Sequence, residues 1–498
     1  MKKINILLAV LGIVLLSSCE GFLDVKPSNS TDAETSILTA GDAKVVINGL
    51  MRKMASSDYY GRNFIMYGDA KGGDFAIASQ GRGLDALYVF NHSATSNSYS
   101  GFWSQLYHNI LQANNLIMNI EKIEADGKGS TTLSDYKGQA LAARALMYFD
   151  LVRLYGKPYT MDKTSLGVPL VLEPLEETAQ PTRATVEAVY TQIVKDLADA
   201  EPIISKAVGT VAVKGYINYY GVKAIQARVN LTMGKYPEAL AAAEVVITSG
   251  KYNLYKYTSD PTDKDEWISS WSTQFGTESI FELAVYPSEA DLLTGSLGYY
   301  LLRTAKISGA MGWFMASDFF LNRLKEDPTD VRWGIMDYDE TSKTRFGSCL
   351  KYAGLDLKGD KGTTSAVNIK VIRLSEMYLI AAEAAFSQPT PDKVKASTYL
   401  NAIRKRSPAL VASTSETVTL DMIINEKSKE LFAEGQRYFD MIRLNRTITF
   451  NDDFIKPAVI ITHRPISIDR TFYKAILPIP KGEMDANPAI ASQQNSGY

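Results

Sequence analysis

Hydrophobic residues recur at helical spacing along most of the chain, which predicts a mainly α-helical fold. Steps of three and four residues place apolar side chains on one face of a helix. This spacing occurs near residues 102–123, 135–155, 185–204, 214–249, 367–406 and 420–445. The segment 135–155 is apolar almost all round, as in a helix that is buried on every side. Helices are therefore expected to form the frame of the protein.

Two long segments interrupt this pattern. Near 56–100 and near 251–350 the helical spacing is lost, and Gly, Asp, Asn and Ser alternate with aromatic residues. This composition predicts loops and a few short strands. Irregular segments of this length inside a compact protein are usually functional, so we expect binding residues in them.

The segment from Gly221 to Gly250 has the features of a helix–turn–helix hairpin. Gly234 ends the first helix, and Pro237 starts the second, where its missing N–H costs little. Small residues such as Ala239 and Ala243 allow the two helices to pack closely. The spacing resembles that of a tetratricopeptide repeat, a unit of about 34 residues. One hairpin cannot bury both of its faces, so further helical pairs are expected to stack on it.

The N-terminal residues predict a secreted lipoprotein. Two lysines precede an apolar run from Ile4 to Leu16, which has the charge and length of a secretory signal. The run is shorter than the roughly 20 residues that a membrane-spanning helix needs. Leu-Ser-Ser followed by Cys19 resembles a bacterial lipobox, in which the cysteine thiol carries the lipid. The alternative is a plain signal peptide with an incidental cysteine.

These signals divide the chain into a signal peptide at 1–18, a lipidated tether at 19–36 and a single folded domain at 37–498. With Cys19 lipidated, Cys349 is the only other cysteine, so no internal disulfide can form. Its side chain is expected to be a small buried hydrophobic group. The mature protein is thus predicted to be attached to a membrane through its lipid and not to span it.

Composition excludes some functions and leaves others open. Hydrophobic residues make up 46% of the chain and charged residues 22%, with a net charge of −2, which is ordinary for a folded protein and gives no reason to expect a nucleic-acid partner. The three histidines are far apart, and no HExxH, Walker A or nucleophile-elbow motif occurs. Neither a metal nor a cofactor is predicted.

Several sequence blocks resemble the SusD/RagB family of surface nutrient-binding lipoproteins, in the order that the family has them. They are CEGFLDV at 19–25, FWSQLYHNILQANNLI at 102–117, RALMYFDLVRLYG at 144–156, the hairpin at 221–250, RLSEMYLIAAEAAF at 373–386, NEKSKELFAEGQRYFDMIRLN at 425–445 and LPIPKGEMDANPAIASQQNSGY at 477–498. The chain departs from the usual family pattern at Lys427, Leu444 and Ser496. The blocks extend over nearly the whole mature chain.

The resemblance implies a fold and a partner. The fold would be mainly α, a scaffold of tetratricopeptide-like helical pairs in which long irregular loops and a few short strands form a ligand face. The partner would be a SusC-like TonB-dependent transporter, over which the protein sits as a lid. The protein would be anchored in the outer membrane through the lipid on Cys19 and would face the cell exterior. Family members bind oligosaccharides, or peptides in some branches, without catalysis.

Candidate ligand contacts come from the two irregular regions, where the family places its own. Sugar rings present apolar C–H faces and hydroxyl groups, so a sugar site combines flat aromatic rings with carboxylates, amides and arginine. The residues of these types are Tyr60, Arg62, Asp69, Asp74, Arg82, Tyr88 and Asn91 in the first region, and Trp267, Trp271, Tyr299, Tyr300 and Trp313 in the second. For each aromatic residue, packing in the core is the alternative.

Glu376 and Glu383 are the strongest candidates for catalysis. They are seven residues apart on one predicted helix, or about 10.5 Å along its axis, whereas the carboxyl groups of glycoside hydrolases are roughly 5 to 9.5 Å apart. The alternative is that both pair with arginines such as Arg404 or Arg406, which we favour. No catalytic residue is therefore predicted.

The sequence thus favours a cell-surface protein that binds oligosaccharides for nutrient uptake and delivers them to a transporter. Peptide capture by the same architecture is the nearest alternative. A polysaccharide-degrading enzyme would need a carboxylate pair in the binding cleft. A lipoprotein that only scaffolds other proteins through its helical repeats is the remaining alternative.

Overall fold

The structure is a computed structural model of the 498-residue chain. It describes residues 37–78, 80–81, 84–176, 178–208, 215–255, 266–286, 293–302, 310–338, 346–354, 366–454 and 461–498. The predicted signal peptide, the tether with Cys19 and the candidate Arg82 lie outside the described residues.

Helices dominate the described part of the chain, which confirms the predicted fold class. In chain order they are α1 (Ala40–Met54), α2 (Asn63–Ala70), α3 (Asp85–Val89), α4 (Ser100–Ala125), α5 (Thr131–Tyr155), α6 (Tyr159–Asp162), α7 (Val186–Ala200), α8 (Tyr219–Met233), α9 (Tyr236–Thr248), α10 (Leu297–Leu301), α11 (Asp318–Leu324), α12 (Leu374–Ser387), α13 (Lys393–Arg404), α14 (Leu420–Glu430), α15 (Arg437–Arg443), α16 (Lys481–Ala486) and α17 (Pro488–Ala491).

The described strands are short and form antiparallel pairs. They are β1 (Phe75–Ile77), β2 (Ser279–Leu283), β3 (Phe314–Ala316), β4 (Met336–Tyr338), β5 (Phe346–Cys349), β6 (Ile369–Arg373), β7 (Ile448–Thr449) and β8 (Ser467–Ile468). β1 pairs with β3, β2 with β6, β4 with β5 and β7 with β8. The first of these pairs joins the two irregular regions, with Phe75 opposite Ala316.

Neighbouring helices pack as a chain of pairs. α4 packs on α5, α5 on α7, α8 on α9, α9 on α12, and α12 on α13. Every side chain of α5 from Gly138 to Val152 is buried, as its apolar sequence predicts. This succession of antiparallel helices forms the scaffold, and its hydrophobic core extends into both irregular regions.

The predicted hairpin is present and shows why its sequence turns where it does. Asn218 caps α8 by accepting a hydrogen bond from the Gly221 backbone N–H at 2.9 Å. Gly234 follows α8 with a φ of 73°, a left-handed conformation that glycine adopts without steric cost. Pro237 lies in the first turn of α9, where no backbone N–H is needed.

Two of the predicted segments differ from the structure. The segment 367–406 was expected to begin as a helix, but it begins with β6, whose five residues are all buried and pair with β2. A short apolar run of this kind can belong to a strand or a helix, and here the neighbouring strand decides. The region near 56–100 contains α2, in which every residue from Phe64 to Ala70 is buried.

A close backbone contact joins α2 to the turn between α14 and α15. A Cβ atom added to Gly68 would lie 2.0 Å from the Gly435 carbonyl oxygen, which no side chain can tolerate. Gly435 itself has a φ of 79°. The glycine in the Glu-Gly-x-Arg-x-x-Asp block is therefore needed for this turn and for the close approach of α2. This turn separates α14, which ends at Glu430, from α15, which begins at Arg437.

Candidate ligand-binding face

Several predicted ligand contacts are core residues in the structure, beginning with Tyr60. Its side chain is 2% exposed, and its hydroxyl donates a hydrogen bond to Asp150 Oδ2 at 2.8 Å. Tyr59 donates to the same carboxylate oxygen. The prediction for Tyr60 is wrong, because its ring and its hydroxyl are both occupied inside the protein.

The two tryptophans of the second region are buried as well, which corrects their prediction. Trp267 is 1% exposed and Trp271 3%, and their ring centroids are 6.0 Å apart. The Arg406 guanidinium lies 5.4 Å from the Trp267 ring, and Lys351 Nζ lies 4.2 Å from the Trp271 ring. Both rings cover buried cations and stabilise them by cation–π contact.

Asp69 and Asp74 have internal partners, and neither is available to a ligand. Asp69 Oδ2 accepts a hydrogen bond from the Gly435 backbone N–H at 2.7 Å. Burial raises the pKa of its carboxyl group well above the ordinary value, although that hydrogen bond opposes the shift. Asp74 pairs with Arg323, and Ser428 Oγ donates a hydrogen bond to its Oδ2 at 2.6 Å. Both predictions are corrected, because the carboxylates hold loops and helices together.

Tyr88 and Asn91 do not join the other candidates. Tyr88 is fully buried, its hydroxyl donates to Asp452 Oδ1 at 2.8 Å, and the Arg464 guanidinium lies 4.8 Å from its ring, so its prediction is wrong. Asn91 is exposed, and its backbone carbonyl accepts a hydrogen bond from Asn97 Nδ2 at 3.0 Å. No contact within the described residues links Asn91 to the remaining candidates.

Four candidates come together, and they define the candidate ligand face: Arg62, Tyr299, Tyr300 and Trp313. The Arg62 guanidinium lies 5.7 Å from the Tyr300 ring. The Tyr299 and Tyr300 rings meet edge to face at 5.1 Å. The Gly312 backbone N–H donates to the Tyr299 carbonyl at 3.0 Å, which places Trp313 beside α10.

These four side chains differ in what they can offer to a ligand. Arg62 and Tyr299 are partly exposed, whereas Tyr300 is 7% and Trp313 8% exposed. Tyr300 and Trp313 are thus mainly core residues, which corrects the prediction that they are full contacts. They support Arg62 and Tyr299, whose exposed parts a ligand can reach.

Two hydrogen bonds hold the Arg62 guanidinium in place. Nε donates to Asn63 Oδ1 at 2.9 Å, and Nη1 donates to the Thr294 carbonyl at 2.9 Å. A guanidinium has five N–H donors, so this fixed group still carries donors for a ligand. Burial raises the pKa of the Tyr300 hydroxyl above its ordinary value, and the charge of Arg62 opposes the shift. Tyr300 is therefore neutral at physiological pH.

A small cleft of about 30 Å³ adjoins this face. Its walls include Arg52 of α1, Gly61 next to Arg62, and Ser296, which caps α10 by accepting a hydrogen bond from the Tyr299 backbone N–H at 3.2 Å. Sequence patterns gave no reason to select Arg52, because its helix is otherwise an ordinary amphipathic one. Ser296 was recognisable only as a helix cap. The cleft and the four side chains together offer an aromatic ring, a fixed cation and hydroxyl groups.

The two candidate catalytic glutamates are both held in buried ion pairs. Glu376 pairs with Arg228, and Glu383 pairs with Lys427 at 2.7 Å and with Arg443 at 2.6 Å. The prediction that Arg404 or Arg406 pairs with these glutamates is wrong. Burial raises the pKa of Glu383, but Arg443 and Lys427 outweigh it and lower the pKa below the ordinary value. Both carboxylates therefore connect helices of the scaffold.

Searches for metal and membrane features gave negative findings for the described residues. Among them, no group of three or more His, Cys, Asp or Glu side chains could hold a metal ion. In the same part of the chain, no helix has the length and apolar character that crossing a membrane requires. Cys349 is fully buried, as predicted.

Comparison with protein families identifies the chain. The model of the SusD family matches residues 248–498, which is just over half of the chain. The chain belongs to the SusD family. A second model, described as starch-binding and associating with the outer membrane, matches residues 21–231 of this SusD-family protein. The second match ends within α8 and the first begins at the last residue of α9, so residues 232–247 of the hairpin lie between the two matches.

Individual relatives agree with the family. A SusD-like protein of Formosa agariphila is 24% identical to this SusD-family protein over 90% of the chain and 92% of the relative. The crystal structure of a SusD superfamily protein from Bacteroides thetaiotaomicron has a TM-score of 0.82 and 33% identity, covering 92% of this chain and 100% of that one. A laminarin-binding SusD-like protein has a TM-score of 0.69 and 24% identity, covering 92% and 99%, which shows the shared fold.

Proposed function

We propose that this SusD-family protein captures oligosaccharides at the candidate ligand face and delivers them to a SusC-like TonB-dependent transporter. One observation carries the proposal: the fixed Arg62 guanidinium lies against Tyr300, whose ring meets that of the partly exposed Tyr299. The Tyr299 ring offers a flat apolar surface to the C–H face of a sugar. Arg62 offers charged N–H donors to sugar hydroxyls, and hydrogen bonds to charged groups are the stronger kind.

The comparisons support a carbohydrate as the ligand. One family description that matches this chain names starch, and a relative with the same fold binds laminarin. The same description gives association with the outer membrane. The lipobox-like sequence before Cys19 supports a lipid anchor there, and a nutrient-capturing role requires that the protein face the cell exterior.

The proposed role is binding without catalysis and without a cofactor. The support for this is that Glu376 and Glu383 are both buried and form ion pairs with basic residues of the helical scaffold. A general acid needs a raised pKa and reach to the substrate, whereas ion pairing lowers the pKa of Glu383.

Binding and cleavage can be tested on the full-length protein in a detergent without a sugar headgroup. Its migration through native gels that contain starch, laminarin or no polysaccharide is compared, and the same mixtures are assayed for new reducing ends. The proposal predicts retardation by a polysaccharide without release of reducing ends. Retardation with release would replace the binding role by an enzymatic one. Free migration in every polysaccharide gel, with calorimetric binding of peptides, would make the ligand a peptide.

The transporter partnership needs its own experiment. Outer membranes are solubilised and the protein is recovered by an affinity tag at its C-terminus. The proposal predicts that a TonB-dependent barrel is recovered with it in comparable amount. Recovery of the protein without such a barrel would contradict the delivery step and leave the binding role standing.

A further inference from the structure

A second cleft, of about 220 Å³, opens beside α1. Its walls come from Lys44 of α1, from Asp135, Tyr136 and Gln139 at the start of α5, and from Tyr216 just before α8. Its walls combine aromatic rings with an amide, a carboxylate and a cation, the combination that the candidate ligand face also presents.

Gln139, in this cleft wall, has an acceptor that no group among the described residues satisfies. Its Nε2 donates to Asp135 Oδ2 at 2.9 Å, and Asp135 Oδ1 accepts from the Ser205 backbone N–H at 2.6 Å. Because a carboxylate only accepts hydrogen bonds, this contact fixes which way the amide points. Gln139 is 6% exposed, and its Oε1 is buried without a partner among the described residues. A buried acceptor of this kind calls for a donor such as a hydroxyl group.

Tyrosine rings border the same cleft. The Tyr216 hydroxyl donates to Asn48 Oδ1 at 2.6 Å, which fixes its ring against α1. Burial raises the pKa of Tyr216, and the hydroxyls of Tyr286 and Tyr136 raise it further. Tyr136 lies in the same cleft wall as Tyr216, and Tyr286 is 51% exposed.

A polar stripe on α1 connects the second cleft to the candidate ligand face. Lys44 lines the second cleft, Asn48 contacts Tyr216, and Arg52 lines the cleft at the ligand face. Residues four apart lie on the same side of a helix, and these three extend over about 12 Å of its axis. A second link to the first cleft lies just after β2. Val285 lines the first cleft, and Tyr286 is the next residue in the chain.

We propose that the second cleft is a further subsite for a neutral glycan chain, which extends from the candidate ligand face along Lys44, Asn48 and Arg52 to Tyr216 and Gln139. A sugar ring packs on the tyrosines, and its hydroxyls bond to exposed polar groups of the cleft wall such as Lys44. This inference rests on the proposed function, because the same glycan occupies both places. Long glycans therefore bind more tightly than short ones.

The test compares short and long ligands by isothermal titration calorimetry on the full-length protein. The probes are maltotriose and maltoheptaose, and laminaritriose and laminariheptaose. The variants are Tyr286→Ala, whose exposed side chain can be removed without opening the core, and Tyr216→Ala. The control is Phe319→Ala, an aromatic residue of 41% exposure on α11.

For the series that binds, the wild type and Phe319→Ala are expected to bind the heptasaccharide about tenfold or more tightly than the trisaccharide, since linked contacts add avidity. Tyr286→Ala and Tyr216→Ala are expected to lose this difference and to keep wild-type affinity for the trisaccharide. Unchanged heptasaccharide affinity in both variants would overturn the second subsite and leave the proposed function intact. Absence of binding to all four probes by the wild type would overturn both.

Discussion

Arg228 of α8 and Glu376 of α12 form a two-bond ion pair inside the scaffold. Nε donates to Oε1 at 2.7 Å, and Nη2 donates to Oε2 at 2.6 Å. Arg228 is 4% and Glu376 5% exposed. The pair fixes the position of the β6–α12 segment against the central hairpin, since Arg228 Nη2 also donates to the Val371 carbonyl at 2.7 Å. A residue with the appearance of a catalytic acid is thus a structural one.

Arg228→Met is expected to destabilise the fold by about 3–5 kcal/mol, because it leaves the Glu376 carboxylate buried without its cation. The double variant Arg228→Met with Glu376→Leu is expected to recover most of that loss, since apolar side chains of similar volume can replace a buried pair. Chemical denaturation at pH 7 measures both. A single variant as stable as the wild type would contradict this account of the pair.

Lys71 is a buried cation held by aromatic rings. Its Nζ lies 4.1 Å from the Phe90 ring and 4.3 Å from the Tyr67 ring, and donates to the Tyr67 hydroxyl at 3.2 Å. Burial lowers the pKa of this amine well below its ordinary value, and the charge of Lys474 lowers it further. The Lys71 amine therefore binds its proton more tightly in the unfolded chain than in the folded chain.

Lys71→Met is accordingly expected to stabilise the protein at pH 7. In the wild type, stability should rise as the pH increases toward about 10.4, the amine pKa of an unfolded chain, because the unfolded state then loses its extra proton. The variant should show a smaller rise. Urea unfolding at pH 7 and pH 10 gives both values, and a variant that is less stable than the wild type at pH 7 would contradict a Lys71 pKa lowered by burial.

Asp440 also makes stability rise with pH, but in the acid range. Burial alone would raise its pKa, but the charges of Lys427 and Arg443 outweigh burial and lower the pKa to about 2. A carboxyl group whose pKa is depressed on folding stabilises the protein above its unfolded pKa, near 3.9, and this contribution is lost as the pH falls toward about 2.

Asp440→Asn should therefore lower the free energy of unfolding by about 2 kcal/mol at pH 7. Between pH 4 and pH 2 the variant should lose less stability than the wild type does. Thermal unfolding over this pH range measures the effect. Asp485→Asn is a suitable control, because Asp485 is an exposed carboxylate paired with Lys481 on α16. Equal acid sensitivity of Asp440→Asn and the wild type would contradict the assignment.

Reaction with a thiol reagent tests the predicted lipidation of Cys19 and the burial of Cys349 together. Burial raises the pKa of the Cys349 thiol to about 12, and only the thiolate reacts. If Cys19 carries a lipid, the native protein should show no reaction with a maleimide at pH 7 and one reactive thiol after denaturation. Mass spectrometry locates the label. A thiol that reacts in the native protein at Cys19 would contradict lipidation, and one at Cys349 would contradict its burial.

The sequence predicted the helical frame well and the ligand contacts poorly, for a physical reason. The spacing of apolar residues reports burial of a regular helix, so α5 and the hairpin of α8 and α9 were predictable from their own residues. In an irregular segment no period tells which aromatic side chain faces inward. Trp267 and Trp271, for example, cover cations of distant segments, and Tyr60 bonds to Asp150.

The places of Arg62 and Tyr299 on the ligand face likewise follow from the tertiary structure and not from the local sequence. Arg62 lies beside Tyr300, whose ring meets that of Tyr299, and the Thr294 carbonyl accepts a hydrogen bond from Arg62 across more than two hundred residues. Glu376 shows the limit for charged residues. Its pairing with an arginine was expected from its buried helix, but the partner Arg228 could be identified only from the packing of α8 on α12.

Calorimetric titration of the wild type, Tyr299→Ala and Arg62→Ala with the maltose and laminarin oligosaccharides tests the central claim most directly. The matched control is Arg446→Ala, a partly exposed arginine that pairs with Asp421. The account predicts saturable binding of one series by the wild type and the control. Each ligand-face variant should bind about tenfold or more weakly, the loss expected for a hydrogen bond to a charged group in the case of Arg62. Wild-type affinity in both ligand-face variants would show that the glycan binds elsewhere and would contradict the account.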